Sequence, residues 1–315
     1  MMNAKKMIQL VNIPKHVIDT SMFSNILHDS VRDEYESNIA KYTGAKYAVA
    51  VSSCTDAIFL SLKSINKKVI CSVPSLSTTR FLNAIIFSGN DYIITDNPSW
   101  VGGNYILYEG DFRIIDSAQE VGQNMFNDQC NNEDLLLLSN YPTKPIGALK
   151  GGVVLSNDKE KIEWIRQAAY FGEVFNKDSW RGKVNFVGWQ MYMNSVEAYI
   201  ANENLKVYAG KRAKLNKLKN KYWSQLNKEI ITGNSYHLFR IRVKDNEDFM
   251  KYAFDKGVYT GIHYKPIHLN DVYNYGKKWY CPKSEIDGKT VISIPLNEAL
   301  TEEEINYIIK IVNDY

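Results

Sequence analysis

The sequence predicts an α/β protein: a large domain built on a mostly parallel sheet between helices, then a small α+β domain. Three observations predict it. Short apolar runs such as "LLLL" at 135–138 have the length of strands buried on both faces. Up to about residue 170 such runs alternate with segments of helical spacing, as in sheets joined by crossover helices. Beyond residue 236 the strands alternate in polarity instead, as half-buried strands do.

Taken in order, "YAVAVSS" (47–53) is a buried strand and "TDAIFLSLKSI" (55–65) a helix. "KVICSVP" (68–74) is a strand, and "TTRFLNAIIFSG" (78–89) a helix ending at a glycine. "DYIITD", "FRIIDSA" (112–118), "LLLLS" (135–139) and "GGVVLS" (151–156) are further strands. "KEKIEWIRQAAYFG" is a helix stopped by Gly172, and 194–228 is one long helix with Gly210 as its weak spot. "YHLFRIRV" (236–243), "YTGIHY" and "TVISIP" are strands of the small domain. "NEDFMKYAFDKG" is a helix between the first two. Thr301 and Glu304 form a capping box for the closing helix. The large domain is expected over 1–200; 201–315 gives the connecting helix and the small domain.

The chain has 315 residues, 45% hydrophobic and 23% charged, which is ample for a core. A net charge of +3 without a dense Lys/Arg run does not suit nucleic acid. The start, "MMNAKKMIQLVNIPKHV", lacks a signal peptide's apolar stretch, and no segment has the roughly 18 apolar residues that span a bilayer. Cys54, Cys71, Cys130 and Cys281 show no metal-ligand spacing, so reduced thiols in a cytoplasm are expected. No GxGxxG after a strand, GK[ST], HExxH or GxSxG occurs, and the "GG" at 151–152 is a turn pair by default.

In open α/β sheets ligands sit at the carboxyl ends of strands. Three polar stretches fall there. "SSCTD" (52–56) joins a strand to a helix; Ser53 or Thr55 can cap that helix, and the same N–H groups and hydroxyls can hold a phosphate. In "IIDSAQ", Asp116 can cap a neighbouring helix or hold a cationic ring nitrogen, with the small Ser117 and Ala118 leaving room for a flat ring. In "SNYPTKPIG", Lys144 lies between Pro142 and Pro145, five residues after Ser139. A solvated lysine is the plain alternative; the prolines restrict where the ammonium points, and a lysine held in a site can lose its proton and attack a carbonyl. A phosphate cradle, an acid for a ring nitrogen and an imine-forming lysine together are what pyridoxal 5′-phosphate requires.

These stretches resemble the sugar-nucleotide aminotransferases of the DegT/DnrJ/EryC1/StrS family. "RDEYESNIAKYTGAKYAVAVSSCTDAIFLSL", "IIDSAQEVG", "SNYPTKP", "GGVVLSND", "MNSVEAYIANENL", "GIHYKPIHL" and "ISIPLNEALTEEEINYI" carry the likeness along almost the whole chain. The resemblance implies the aspartate-aminotransferase fold (fold type I) and transfer of an amino group, from glutamate, to a keto-sugar on a nucleoside diphosphate. It implies a homodimer with shared active sites. Lys144 would form the imine with the cofactor and shuttle the proton. Asp116 would pair with the pyridine nitrogen, Gln119 would sit near the ring hydroxyl, and Ala118 would pack on one ring face. Ser139, Ser53 and Thr55, with the N–H groups of Cys54 and Thr55, would hold the phosphate, joined by Gln190 from the partner. His263, Tyr264 and His268 would approach the substrate. His263 has a purely structural alternative.

The sequence departs from the family pattern at three places. Cys54 stands where the family has glycine, and Thr78 where an aromatic usually stacks on the ring, with Phe81 one turn on. The stretch from Asp96 to Asp116 lacks a strand–helix unit, so the sheet is expected to be trimmed there. Two alternatives follow: a sugar dehydratase-type relative, against which Lys144 argues because those enzymes carry a histidine there, and a catalytically altered protein that only binds cofactor or sugar nucleotide.

Overall fold

The computed structural model describes residues 7–175, 182–232, 236–274 and 277–315. The first half runs α1 (Val31–Thr43), β1 (Tyr47–Val51), α2 (Cys54–Lys63), β2 (Ile70–Pro74), α3 (Thr79–Phe87), β3 (Asp91–Thr95), β4 (Tyr105–Glu109), β5 (Arg113–Asp116), α4 (Met125–Gln129), β6 (Leu135–Ser139), β7 (Gly152–Ser156) and α5 (Lys159–Ala169). The long α6 (Ser195–Gln225) leads to β8 (Phe239–Arg242), α7 (Asn246–Asp255), α8 (Asp271–Asn274), α9 (Pro282–Thr290), β9 (Val291–Ile294) and α10 (Glu302–Asp314).

The main sheet has the order β1-β7-β6-β5-β4, and β2 pairs with β3 beside it. Its inner strands split their apolar residues between two faces. Val49, Val51, Ile114, Leu135, Leu137 and Val154 pack under α2, α3 and α5. Ala48, Ala50, Ile115, Leu136, Leu138, Val153 and Leu155 pack under α1 and the first half of α6. Period-2 side-chain geometry puts an unbroken apolar run on both faces at once, and each large side chain so buried contributes roughly 1.5–3 kcal/mol. A third core joins β8 and β9 to α7, α10 and the second half of α6 through Leu215, Phe239, Ile241, Phe249, Ile292 and Ile308. The predicted capping box of Thr301 and Glu304 is present, and Asn194 with Glu197 forms another at the start of α6.

The sheet is mixed. β5–β6 and β2–β3 are parallel, while β1–β7, β6–β7 and β4–β5 run antiparallel. The sense of β4 follows from its connection: three residues, 110–112, separate it from β5, and only a hairpin closes so short a gap. β4 and this hairpin stand where the sequence lacks a strand–helix unit. "YTGIHY" does not form a strand among the described residues; one bridge, Gly261 to Ser293, is what it contributes. No described helix is long and apolar enough to cross a membrane.

Candidate active site

The ends of β1, β2, β5 and β6 and the start of β7 meet His237, Leu238, His263 and Tyr264 of the C-terminal part at a cavity of about 540 Å³. Ser53, Cys54, Thr55, Thr78, Ala118, Ser139, Lys144, His263 and Tyr264 all line it. Asp116 and Gln119 are buried beside Ala118.

Lys144 is placed by a closed turn. Asn140 N–H donates to Gly151 O (2.9 Å), Ala148 N–H returns to Asn140 O (2.8 Å), and Lys144 N–H donates to Tyr141 O (2.8 Å). The Asn140 side chain fills the turn, donating to Tyr35 Oη (2.8 Å) and Ile146 O (2.7 Å). The turn is therefore anchored to the sheet rather than left to solvent. The Lys144 ammonium lies 3.3 Å from His237 Nε2. Burial pushes its pKa down to about 8, with Arg80 adding to the fall and Asp116 opposing it.

Asp116 closes β5 and is fully buried. Its Oδ1 accepts the Ala118 N–H at 2.9 Å, while Oδ2 has no hydrogen-bond partner. Burial raises this carboxyl to about 6. Tyr105 is its cross-strand neighbour on β4; its hydroxyl lies close enough to oppose that rise, without a well-aligned bond to the carboxyl. A buried acceptor without a donor is costly unless a ligand supplies one. Gln119 is committed on both sides: Oε1 accepts from Gly102 N–H (2.9 Å) and Nε2 donates to Tyr264 Oη (3.2 Å). Trp100 stacks on Tyr264 with ring centres 6.3 Å apart. The short connection after β3 thus forms the wall behind Asp116.

At the start of α2, Ser53 is the N-cap. Its Oγ accepts from Asp56 N–H (3.1 Å) and donates to Asp56 Oδ2 (2.7 Å). The N–H groups of Cys54 and Thr55 have no helical partner, and both residues line the cavity. Cys54 begins the helix with negative φ, so this position does not require glycine; burial keeps its thiol protonated. The "GG" pair is more than a turn. Gly151 has φ +137°, and a Cβ on Gly152 would fall 2.5 Å from Cys54 N, so the chain after Lys144 lies directly on this loop.

The other predicted residues divide. His263 Nδ1 lies 2.9 Å from Ser293 Oγ, and burial pushes its pKa down to about 4, so the ring is neutral. Thr78 is the N-cap residue of α3 with an unpartnered Oγ1, and Phe81 lines the cavity beside it. His268 lies outside the cavity wall, buried between Ser75 Oγ (2.6 Å) and Glu285 Oε1 (3.3 Å). Gln190 is exposed and bridges to Tyr170, away from this chain's own cavity. Two wall residues, His237 and Arg80, were not singled out from the sequence. His237 lies inside the expected strand "YHLFRIRV" but stands two residues ahead of the observed β8.

Against known proteins, the model of the DegT/DnrJ/EryC1/StrS aminotransferase family matches residues 14–97 and 112–313. The chain belongs to that family. The unmatched 98–111 is the shortened connection with β4. The spore coat polysaccharide biosynthesis protein SpsC of Bacillus subtilis is 22% identical, covering 89% of this chain and 88% of its own. The dTDP-3-amino-3,6-dideoxy-alpha-D-galactopyranose transaminase of Aneurinibacillus thermoaerophilus is 22% identical, covering 90% and 89%. The crystal structure of NtdA from Bacillus subtilis with bound cofactor PMP superposes with a TM-score of 0.79, at 21% identity, covering 91% of this chain and 77% of that one.

This DegT/DnrJ/EryC1/StrS family member is an aminotransferase, and its cofactor is pyridoxal phosphate. The residues present fit that group: an unpartnered buried carboxylate oxygen, an amine that burial makes easier to deprotonate, and a helix N-terminus open to the same cavity. When bound, the cofactor supplies an aldehyde for the amine and an electron-withdrawing ring.

His237 bears on the amine directly. Burial holds its pKa well below the usual range, so the ring is neutral. A neutral ring nitrogen facing an ammonium acts as an acceptor, which favours the protonated amine. His237→Phe is expected to lower the apparent pKa of Lys144 below about 8 and to slow amino transfer roughly tenfold. The pH profile of cofactor attachment checks this. An unmoved midpoint would reduce His237 to packing.

Proposed function

We propose that this chain transfers an amino group from glutamate to a keto-sugar carried on a nucleoside diphosphate, within the making of a surface polysaccharide or a modified sugar. One observation carries the catalytic part: the Lys144 amine lines the cavity, and Asp116 is buried directly behind the Ala118 wall, near enough for its charge to act on that amine. Lys144 Nζ takes up the proton that leaves the carbon bearing the amine, and returns it in the reverse sense on the second substrate. Asp116 keeps the ring nitrogen protonated. Ser139, Ser53, Thr55 and the first-turn N–H groups of α2 take the phosphate, Ala118 lies against the ring, and Gln119 reaches its hydroxyl. Thr78 and Phe81 form the opposite wall, and His263 and Tyr264 meet the substrate; His268 acts from behind through Ser75.

The substrate class is supported by the family and by what the Aneurinibacillus relative is named for; the polysaccharide setting by the name of SpsC. The enzyme is proposed to work in the cytoplasm as a homodimer, Gln190 of each subunit reaching the other's phosphate site. The boundary between the large and small domains is proposed near residue 200, inside α6; the helix packs on the second core as far as Tyr208 and on the third from Leu215.

The purified enzyme is expected to be yellow, to bleach with glutamate, and to regain colour with a keto-sugar nucleotide while the product gains an amine by mass spectrometry. It should elute as a dimer. Cofactor that binds yet responds to no amino donor would defeat the reading, and an active monomer would defeat its quaternary part.

A further inference from the structure

The cavity wall holds a cation that no step above uses. Arg80, in the first turn of α3, lines it. Its guanidinium lies 5.4 Å from the centre of the exposed Tyr141 ring, and among the described residues it has no ion-pair partner. Its positive charge depresses the pKa of both Lys144 and Tyr264, so it acts on the reacting end of the cavity. Lys150 also lines the wall, but Gly151 beside it bridges to Ser53, which puts Lys150 at the phosphate loop. Lys144 is committed to the chemistry. The cavity wall carries no carboxylate among the described residues. Arg80 is left over, a fork of N–H donors without an anion.

An aminotransferase admits two substrates in turn to the same amine. The donor brings carboxylates. The acceptor, on the function proposed above, brings a diphosphate. Arg80 is exposed as well as lining the cavity, so an incoming anion can reach its guanidinium, which binds either group through two parallel N–H···O bonds. We infer that Arg80 is the anchor for the anionic oxygens of the incoming substrate, and so a specificity-determining residue of this enzyme.

The test uses the cofactor-loaded enzyme in two arms. Uridine diphosphate and thymidine diphosphate are titrated calorimetrically, and the rate of bleaching is followed against glutamate concentration. Arg80→Gln is expected to weaken one arm or both by roughly ten- to a hundredfold. The cofactor content and the thermal midpoint should stay as in the wild type, with Arg80→Lys recovering part of the loss. Loss in the diphosphate arm assigns the anchor to phosphate, and loss in the glutamate arm assigns it to carboxylate. Unchanged binding in both arms overturns the inference and leaves the proposed function standing. A wild type that binds neither diphosphate removes the sugar-nucleotide reading alone, and the glutamate arm then decides Arg80.

Discussion

Lys144→Ala is expected to lower amino transfer by at least about a thousandfold while the protein still binds pyridoxal phosphate. The amine can both join the cofactor and move the proton, and burial tunes it for both tasks by bringing its pKa to about 8. Removing it leaves the phosphate loop and Asp116 in place. Among the described residues the side chain's polar contact is His237, so the turn built by Asn140 survives. Retention of the cofactor through gel filtration, with a spectrum unlike that of the wild type, separates lost chemistry from lost binding. The pH dependence carries a sign. The neutral amine attacks, so the rate of cofactor attachment to the cofactor-free wild type should rise through about pH 8 instead of 10.5. Substantial turnover by the variant would exclude Lys144 from the chemistry.

Asp116→Asn is expected to slow turnover by about two to three powers of ten, because a neutral amide cannot hold the ring nitrogen in its protonated form. The same change should stabilise the cofactor-free protein at neutral pH. The folded state raises this carboxyl from 3.8 to about 6, so its contribution to stability is present at low pH and is lost as the pH rises through 6. Ionising it there costs roughly 3 kcal/mol, at about 1.36 kcal/mol per tenfold change in acidity. The variant's amide would not ionise, so it would not pay this cost. Thermal unfolding of both cofactor-free proteins from pH 4 to 8 checks this. Parallel curves across that range would mean that Asp116 is not held unpaired, and the case for its role on the ring nitrogen would fall with it. Stability given up for a poised group is the usual trade at an active site.

Much of the arrangement could be read from residue order. The inner strands announced themselves because burial on both faces leaves no polar position in "LLLL" or "VVL". The three site loops were visible because each polar cluster interrupts such a run at its end. Strand direction was less accessible: apolar runs look alike in parallel and antiparallel sheets, and the sense of β4 is decided by Gly110 and Asp111 making a hairpin to β5. "YTGIHY" alternates like a strand, yet its residues turn aside after Gly261 to bring His263 and Tyr264 into the cavity. His237 and Arg80 were missed for a common reason. A single histidine or arginine carries no evident chemistry until the fold sets it beside Lys144 or Tyr141.

The most direct measurement is to treat the cofactor-loaded enzyme with borohydride, digest it, and locate the pyridoxyl group by mass spectrometry. It is expected on the peptide that contains Lys144, and to vanish from the map of Lys144→Ala. A pyridoxyl group on Lys150 or any other lysine, or on none, would contradict the assignment of this amine as the centre of the chemistry.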